Sequence, residues 1–131
     1  MHMAWVRITA GRLESRIRYS AKYTYNTFPW PRDANEKAIK AIESAAQGVL
    51  DARAKFPKSS LADLYDPLTM PPELTKAHQA LDRAVDAAYG KKDFKSDAER
   101  VAFLFELYRQ YTTLLPAEAP KKAARGRKAK V

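Results

Sequence analysis

The chain has 131 residues, 46% of them hydrophobic and 30% charged, with a net charge of +9, a profile that fits one folded core with an appended piece. It holds no cysteine, which excludes disulfides and thiolate metal sites, and no apolar run approaches the roughly 18 residues of a membrane span. The opening "MHMAWVRITAGR" has no long apolar core of a secretory signal, so an intracellular protein is expected. Met1 and His2 read as an appended pair, after which the chain enters in mid-strand, as an excised fragment would.

In residues 4–9, Trp5, Arg7 and Thr9 alternate with Val6 and Ile8, a two-residue beat rich in β-branched and aromatic side chains that predicts a strand. Ala10-Gly11-Arg12 supplies a turn. The beat resumes in residues 13–20, with Leu13, Ile17 and Tyr19 on one face and Glu14, Arg16 and Arg18 on the other. "KYTYNTFPWP" reads as an extended continuation that Pro29 and Pro31 bar from further pairing. A lone hairpin is marginal, so a sheet or a helix is needed to cover it.

From Asp33 the pattern turns helical. Ile39, Ile42, Ala46, Val49 and Leu50 form one stripe, ending near Phe56-Pro57. "KSSLADLYDP" reads as a loop with a short helical turn capped by Ser60. Pro71 and Pro72 suit the start of a second helix striped by Leu74, Ala77, Leu81, Val85 and Ala88, with Gly90 as its stop. Ser96 and Glu99 form a capping box for a third helix. Its apolar residues Val101, Leu104, Tyr108, Tyr111 and Leu115, widened by Phe103, Leu107 and Leu114, suit two packing partners. After Pro116 the low-complexity tail reads as disordered. The expected fold is mainly α, a three-helix C-terminal unit preceded by a β-hairpin fragment and an extended linker, with a disordered basic tail.

Charge follows this division. Residues 1–31 carry Arg7, Arg12, Arg16, Arg18 and Lys22 against Glu14, and residues 116–131 carry six cations against Glu118, while the span between holds thirteen of each sign. A neutral body with two basic ends points to an anionic partner, although basic tails also serve solubility alone.

Catalytic constellations are missing: there is no nucleophile elbow, no histidine pair at zinc spacing and no glycine-rich phosphate loop. His78, flanked by Leu74 and Asp82, reads as a hydrogen-bonded structural histidine, and Asp63 and Asp66 read as turn caps. "NTFPW" only superficially matches the Asn-Pro-Pro-aromatic loop of amino-methyltransferases, because Thr27 and Phe28 stand where the prolines belong. The chain alone is therefore expected to be no enzyme and to bind no cofactor.

The Glu14–Arg16–Arg18 face has two readings. One is a solvated strand face with weak cross-strand ion pairs. The other is readout in a DNA major groove, where a guanidinium donates to guanine O6 and N7 and a carboxylate accepts from cytosine N4. Residues two apart on a strand lie about 6.5–7 Å apart on one face, so Glu14 and Arg16 could address one C·G pair. Arg7, Arg12, Arg18 and Lys22 would then hold the phosphate backbone.

"GRLESRIRYS", "YNTFPWP", "AAQGVLDARAKFPKSSLADLYDPLTMPPELTKAHQALDRAVDAAYG" and "ERVAFLFELYRQ" resemble the C-terminal end of MmeI-type enzymes, single-chain restriction-modification proteins and adenine-N6 DNA methyltransferases. The resemblance covers nearly all of residues 5–115. It implies that residues 1–31 close a target recognition domain, that residues 32–115 form a helical C-terminal domain and that residues 116–131 are the tail. It also implies an acid and a base two apart as recognition determinants, in the slot of Glu14 and Arg16. Double-stranded DNA and the methyltransferase and recognition domains of its own full-length chain are the implied partners, and S-adenosylmethionine is the cofactor of the parent protein. The location it implies is a prokaryotic cytoplasm. Phe28 and Trp30 are expected to anchor the "NTFPWP" strap, and Tyr19, Tyr23 and Tyr25 to pack structurally. The alternative is a helical protein-interaction domain with solubilising basic ends; a free-standing RNA-binding module fits less well, because the aromatics form no RNP-like pattern.

Overall fold

The computed structural model describes residues 1–91 and 94–113; the predicted tail, and Leu114 and Leu115 of the predicted third stripe, lie outside the described residues. The architecture is mainly helical with one small hairpin, in the order α1 (His2–Thr9), β1 (Gly11–Leu13), β2 (Arg16–Arg18), a π-helical turn (Ala21–Tyr25), α2 (Glu36–Ala54), α3 (Leu61–Leu64), α4 (Pro72–Ala88) and α5 (Asp97–Thr112). The three long helices fall where their periodicity and caps put them. Asn35 accepts from the Ala38 N–H at the start of α2, and Ser60 and Asp63 make a reciprocal capping box on α3. Pro72 opens α4, and Gly90 follows its end with φ +80°. Ser96 accepts from the Glu99 N–H, while Glu99 reaches back past the Ser96 N–H of the predicted reciprocal bond and accepts from the N–H of Lys95, one residue farther on.

Two apolar clusters hold the helices. Val49 and Ala52 of α2, Leu64 of α3 and Leu74 of α4 form the first, with Phe56, Met70, Ala77 and Leu81 against it. Met1, Trp5, Phe28 and Leu104 form the second, with Val85, Tyr89, Phe94, Phe103 and Tyr108 around them. α4 therefore serves both, its first half facing α2 and its second half facing α5. Ile39 and Leu50 lie on the predicted stripe of α2 but stay exposed, since a single partner helix covers only part of that face.

The N-terminal segment departs from its sequence pattern in three places. Residues 4–9 are helical, not a strand. Ala4, Trp5 and Val6 are buried in succession, which no two-faced strand allows, and burial of the Trp5 indole against α5 outweighs local β propensity. The hairpin turns at Glu14-Ser15, not at residues 10–12, with Leu13 opposite Arg16, Arg12 opposite Ile17 and Gly11 opposite Arg18. Cross-strand partners share a face, so Leu13 lies with Arg16 and Arg18, while Ile17 lies with Arg12. Residues 21–25 form a π-helical turn instead of continuing extended. Ser20 caps it by accepting from the Tyr23 N–H, and the turn puts Thr24 in the interior, fully buried.

The strap that follows is held as the sequence suggests at Phe28, which is buried, but Trp30 remains half exposed. Two tyrosines from the helical unit fasten it. Tyr89 Oη donates to the Pro29 carbonyl at 2.8 Å, and Tyr111 Oη donates to the Trp30 carbonyl at 3.0 Å. The Arg32 guanidinium lies 3.7 Å from the Tyr111 ring centroid, a cation–π contact that extends the clamp.

Candidate nucleic-acid interface

The hairpin stands clear of the body. Every residue from Gly11 to Tyr19 is exposed, so both faces of the two short strands are open. Its basic side chains are Arg12 on one face and Arg16 and Arg18 on the other, with Lys22 just past its second foot. A shallow cleft lined by Gly11, Arg18, Tyr19, Ser20 and Tyr23 runs along that foot. Four cations on so small an exposed projection give a field that attracts phosphate.

Glu14 is not part of a strand. It is the first residue of the two-residue loop and has φ +58°, in the left-handed region that L residues rarely adopt. The two-apart strand geometry inferred for Glu14 and Arg16 is therefore replaced by a different one: Glu14 sits at the tip and Arg16 is the first paired residue beyond it. The loop lacks the Asn-Gly or Asp-Gly chemistry that marks such turns, which is why the sequence did not disclose it. A strained backbone kept at an exposed tip is the kind of outlier that collects at functional positions.

Arg7 differs from the other cations. Its guanidinium is ion-paired with Asp97 at the start of α5, and its carbonyl accepts from Arg12 Nη2 at 3.3 Å. Asp97 also meets Arg100 Nη1 at 3.5 Å, and Arg100 donates to Asp86. Lys22 Nζ lies 5.4 Å from the Tyr23 ring centroid and is otherwise open to solvent. Tyr19, Tyr23 and Tyr25 are exposed, because the π-helical turn directs the burial of this segment through Thr24; the expected packing is met only at the surface, where Tyr25 lies edge-on to Trp30 and Tyr19 meets His2.

Elsewhere the sequence expectations hold at the level of single groups. His78 shares a 2.7 Å hydrogen bond with Tyr65 Oη. The Asp63 carboxyl is held below its usual range by hydrogen bonds from the Ser60 side chain and backbone, and Asp66 accepts from the Leu68 N–H at 2.8 Å. Among the described residues no cluster of histidines and carboxylates could hold a metal, and no helix is long and apolar enough to cross a membrane.

Comparison with known proteins accounts for both parts of the molecule. Residues 1–32 match the model of the MmeI target recognition domain, and residues 34–116 match that of the MmeI C-terminal domain. DNA methyltransferase A of Bacillus subtilis (strain 168) is 46% identical over 112 residues, covering 86% of this chain. A solved structure described as the Type IIL restriction-modification enzyme MmeI in complex with DNA superimposes with a TM-score of 0.82 at 57% identity, again over 86% of this chain. The chain spans only 12% of the length of the first of these proteins and 15% of the second. With both segments matched in order and the helical unit matched throughout, the chain belongs to the MmeI family, carrying sequence of its target recognition domain and its C-terminal domain.

Proposed function

We propose that this chain is the DNA-reading and bracing end of a longer, site-specific adenine-N6 DNA methyltransferase. The hairpin enters the major groove tip first. Glu14 accepts from cytosine N4 and Arg16 donates to guanine O6 and N7 of one C·G pair, while Arg12, Arg18 and Lys22 hold phosphates. Arg7, occupied by Asp97, braces the stem. The methyltransferase and recognition domains of the same full-length chain are the protein partners, and the target adenine is flipped and methylated in the methyltransferase domain, which holds S-adenosylmethionine. The hairpin and helical unit leave the binding of that cofactor and the transfer of its methyl to that domain. Its place of work is the prokaryotic cytoplasm, where the DNA is.

The observation that carries this reading is the uncovered hairpin, with three arginines on its strands and a strained glutamate at its tip. Duplex titration of the chain at several salt concentrations tests it. Removing one phosphate-binding cation should flatten the plot of log affinity against log salt by about 0.9, so Arg18→Ala and Lys22→Ala should each reduce the slope by about one. Affinity that does not change with salt would favour the second reading, a helical protein-interaction domain. That reading has its own support in the exposed Leu61, Tyr65 and Leu68 around α3.

A further inference from the structure

The hairpin touches the body mainly through its two feet, so its aim depends on how those feet are held. The first foot is α1, which the chain leaves at Thr9; the second is the π-helical turn that begins after Ser20. A short chain of buried and half-buried groups joins them. Thr9 Oγ1 donates to the Trp5 carbonyl at 2.9 Å and lies 3.3 Å from Oγ1 of Thr24. Trp5 Nε1 donates to Thr27 Oγ1 at 3.2 Å, and the Thr27 hydroxyl donates its own proton to the Tyr23 carbonyl at 2.6 Å. Thr24 is fully buried and Trp5 is 2% exposed. The Trp5 ring also packs on the helical unit, with centroids 5.2 Å from Phe105 and 5.7 Å from Tyr108. One indole thus contacts both feet and α5.

We infer that Trp5 and Thr24 are positioning residues for sequence readout: they fix the separation of the hairpin's feet and its angle to the helical domain, and so decide where the tip meets the base pair. The inference rests on the proposed role of the tip. A merely structural pair of residues would set stability; this pair sets discrimination as well. The hydroxyl of Thr24 is not needed to fill space, since valine has nearly the same shape, and Thr9 keeps the Trp5 carbonyl as acceptor when that hydroxyl is gone. Phenylalanine at position 5 keeps an aromatic ring against α5 while freeing Thr27 from the indole. Both changes loosen the link between the feet; Thr24→Val does so with the core still filled, whereas Trp5→Phe also leaves a small gap beside α5.

The test uses the full-length methyltransferase and compares methylation of the cognate site with a site altered at the base pair assigned to Glu14 and Arg16. Thr24→Val and Trp5→Phe should each lower the ratio of the two kcat/KM values by about tenfold, the scale of one base-edge interaction. S-adenosylmethionine affinity should stay near that of the unaltered protein in both variants. Melting temperature should stay near it in Thr24→Val, while Trp5→Phe, which trims a core side chain, should lower it. Thr24→Ser, which keeps the hydroxyl, should retain the ratio. An unchanged ratio in both variants overturns the inference, as does a loss in Thr24→Ser equal to that in Thr24→Val. The charge exchange Glu14→Lys with Arg16→Asp serves as the control. If it alters the preference while Thr24→Val and Trp5→Phe do not, the positioning role fails and the readout stands. If the exchange has no effect, the readout fails and the positioning role falls with it.

Discussion

Asp86 of α4, only 4% exposed, receives both the Nη2 of Arg100 at 2.6 Å and its Nε at 3.4 Å, and this pair locks α4 to α5. The two-pronged geometry satisfies the buried carboxylate, and the carboxylate in turn raises the already high pKa of the Arg100 guanidinium. Removing one partner strands the other. Arg100→Met should therefore destabilise the chain by about 3 kcal/mol in denaturant unfolding, whereas Arg100→Met combined with Asp86→Leu should recover most of that loss. Equal losses in the single and the double variant would show that packing, not the stranded charge, dominates.

The two clusters make a contrast within the helices. Leu74 and Leu104 are fully buried, while Ile39 and Leu50 lie exposed on α2. Leu74→Ala and Leu104→Ala should each cost about 2–5 kcal/mol. Ile39→Ala and Leu50→Ala should stay within about 0.5 kcal/mol, as exposed substitutions do. Thermal or urea unfolding of the four variants checks the assignment of faces.

Tyr89 gives the fold an alkaline limit. Burial pushes its hydroxyl well above the ordinary tyrosine value of 10.0, and that hydroxyl donates to the Pro29 carbonyl. A raised acid pKa means that the unfolded chain loses this proton first. The contribution of Tyr89 is complete below the unfolded value near 10 and declines as pH rises above it. Stability measured from pH 8 to 11 should fall more steeply in the native sequence than in Tyr89→Phe, where no proton is at stake.

Acid acts through different groups. Hydrogen bonds from Lys91 and Lys95 hold the Glu99 carboxyl below its usual value of 4.5, and Asp63 is held low by Ser60. Depressed carboxyl values contribute stability above the unfolded pKa and lose it as pH falls through the folded one. The start of α5 should therefore fray below about pH 4.5, and Glu99→Gln should remove most of that acid dependence, as read by amide exchange at residues 97–100.

What the sequence disclosed and what it hid follow from the range of the interactions. The starts of α2, α3 and α5 are written in Asn35, Ser60 and Ser96, each acting on a backbone N–H three residues away, and such local signals are legible in one dimension. Trp5 is the opposite case. Its neighbours Val6 and Ile8 suggest a strand, but its partners Phe105 and Tyr108 lie about a hundred positions away, and they decide that the segment is helical. The basic character of the hairpin was visible in composition. The ion pair that sets Arg7 apart from the other cations depends on Asp97, ninety residues distant, and had no local signature. The turn at Glu14-Ser15 was concealed for another reason: it has no glycine, asparagine or aspartate at the residue with positive φ, and the alternation on either side fits more than one register.

The strain at Glu14 is itself measurable. Glycine takes positive φ without penalty, so Glu14→Gly should stabilise the hairpin by up to about 1 kcal/mol, seen as slower amide exchange at residues 11–18. The same change removes the carboxylate that the proposed readout offers to cytosine, so under that proposal modification of the cognate site by the full-length protein should fall. Greater hairpin order together with lower activity is the signature of strain kept for function; a hairpin that loosens would mean that the glutamate side chain holds the turn.

The most direct measurement of the central claim is a change of sequence preference. In the proposed full-length methyltransferase, Glu14→Lys combined with Arg16→Asp exchanges the donor and acceptor at the tip. If Glu14 and Arg16 read one C·G pair, the preferred orientation at that position should invert to G·C, with discrimination of about 1–3 kcal/mol for each bidentate contact. The single changes should mainly lose activity, since each leaves a mismatched group against a base edge. An exchanged protein that methylates the original site with unaltered preference would contradict the account, and would leave the hairpin face as a solvated surface with weak ion pairs.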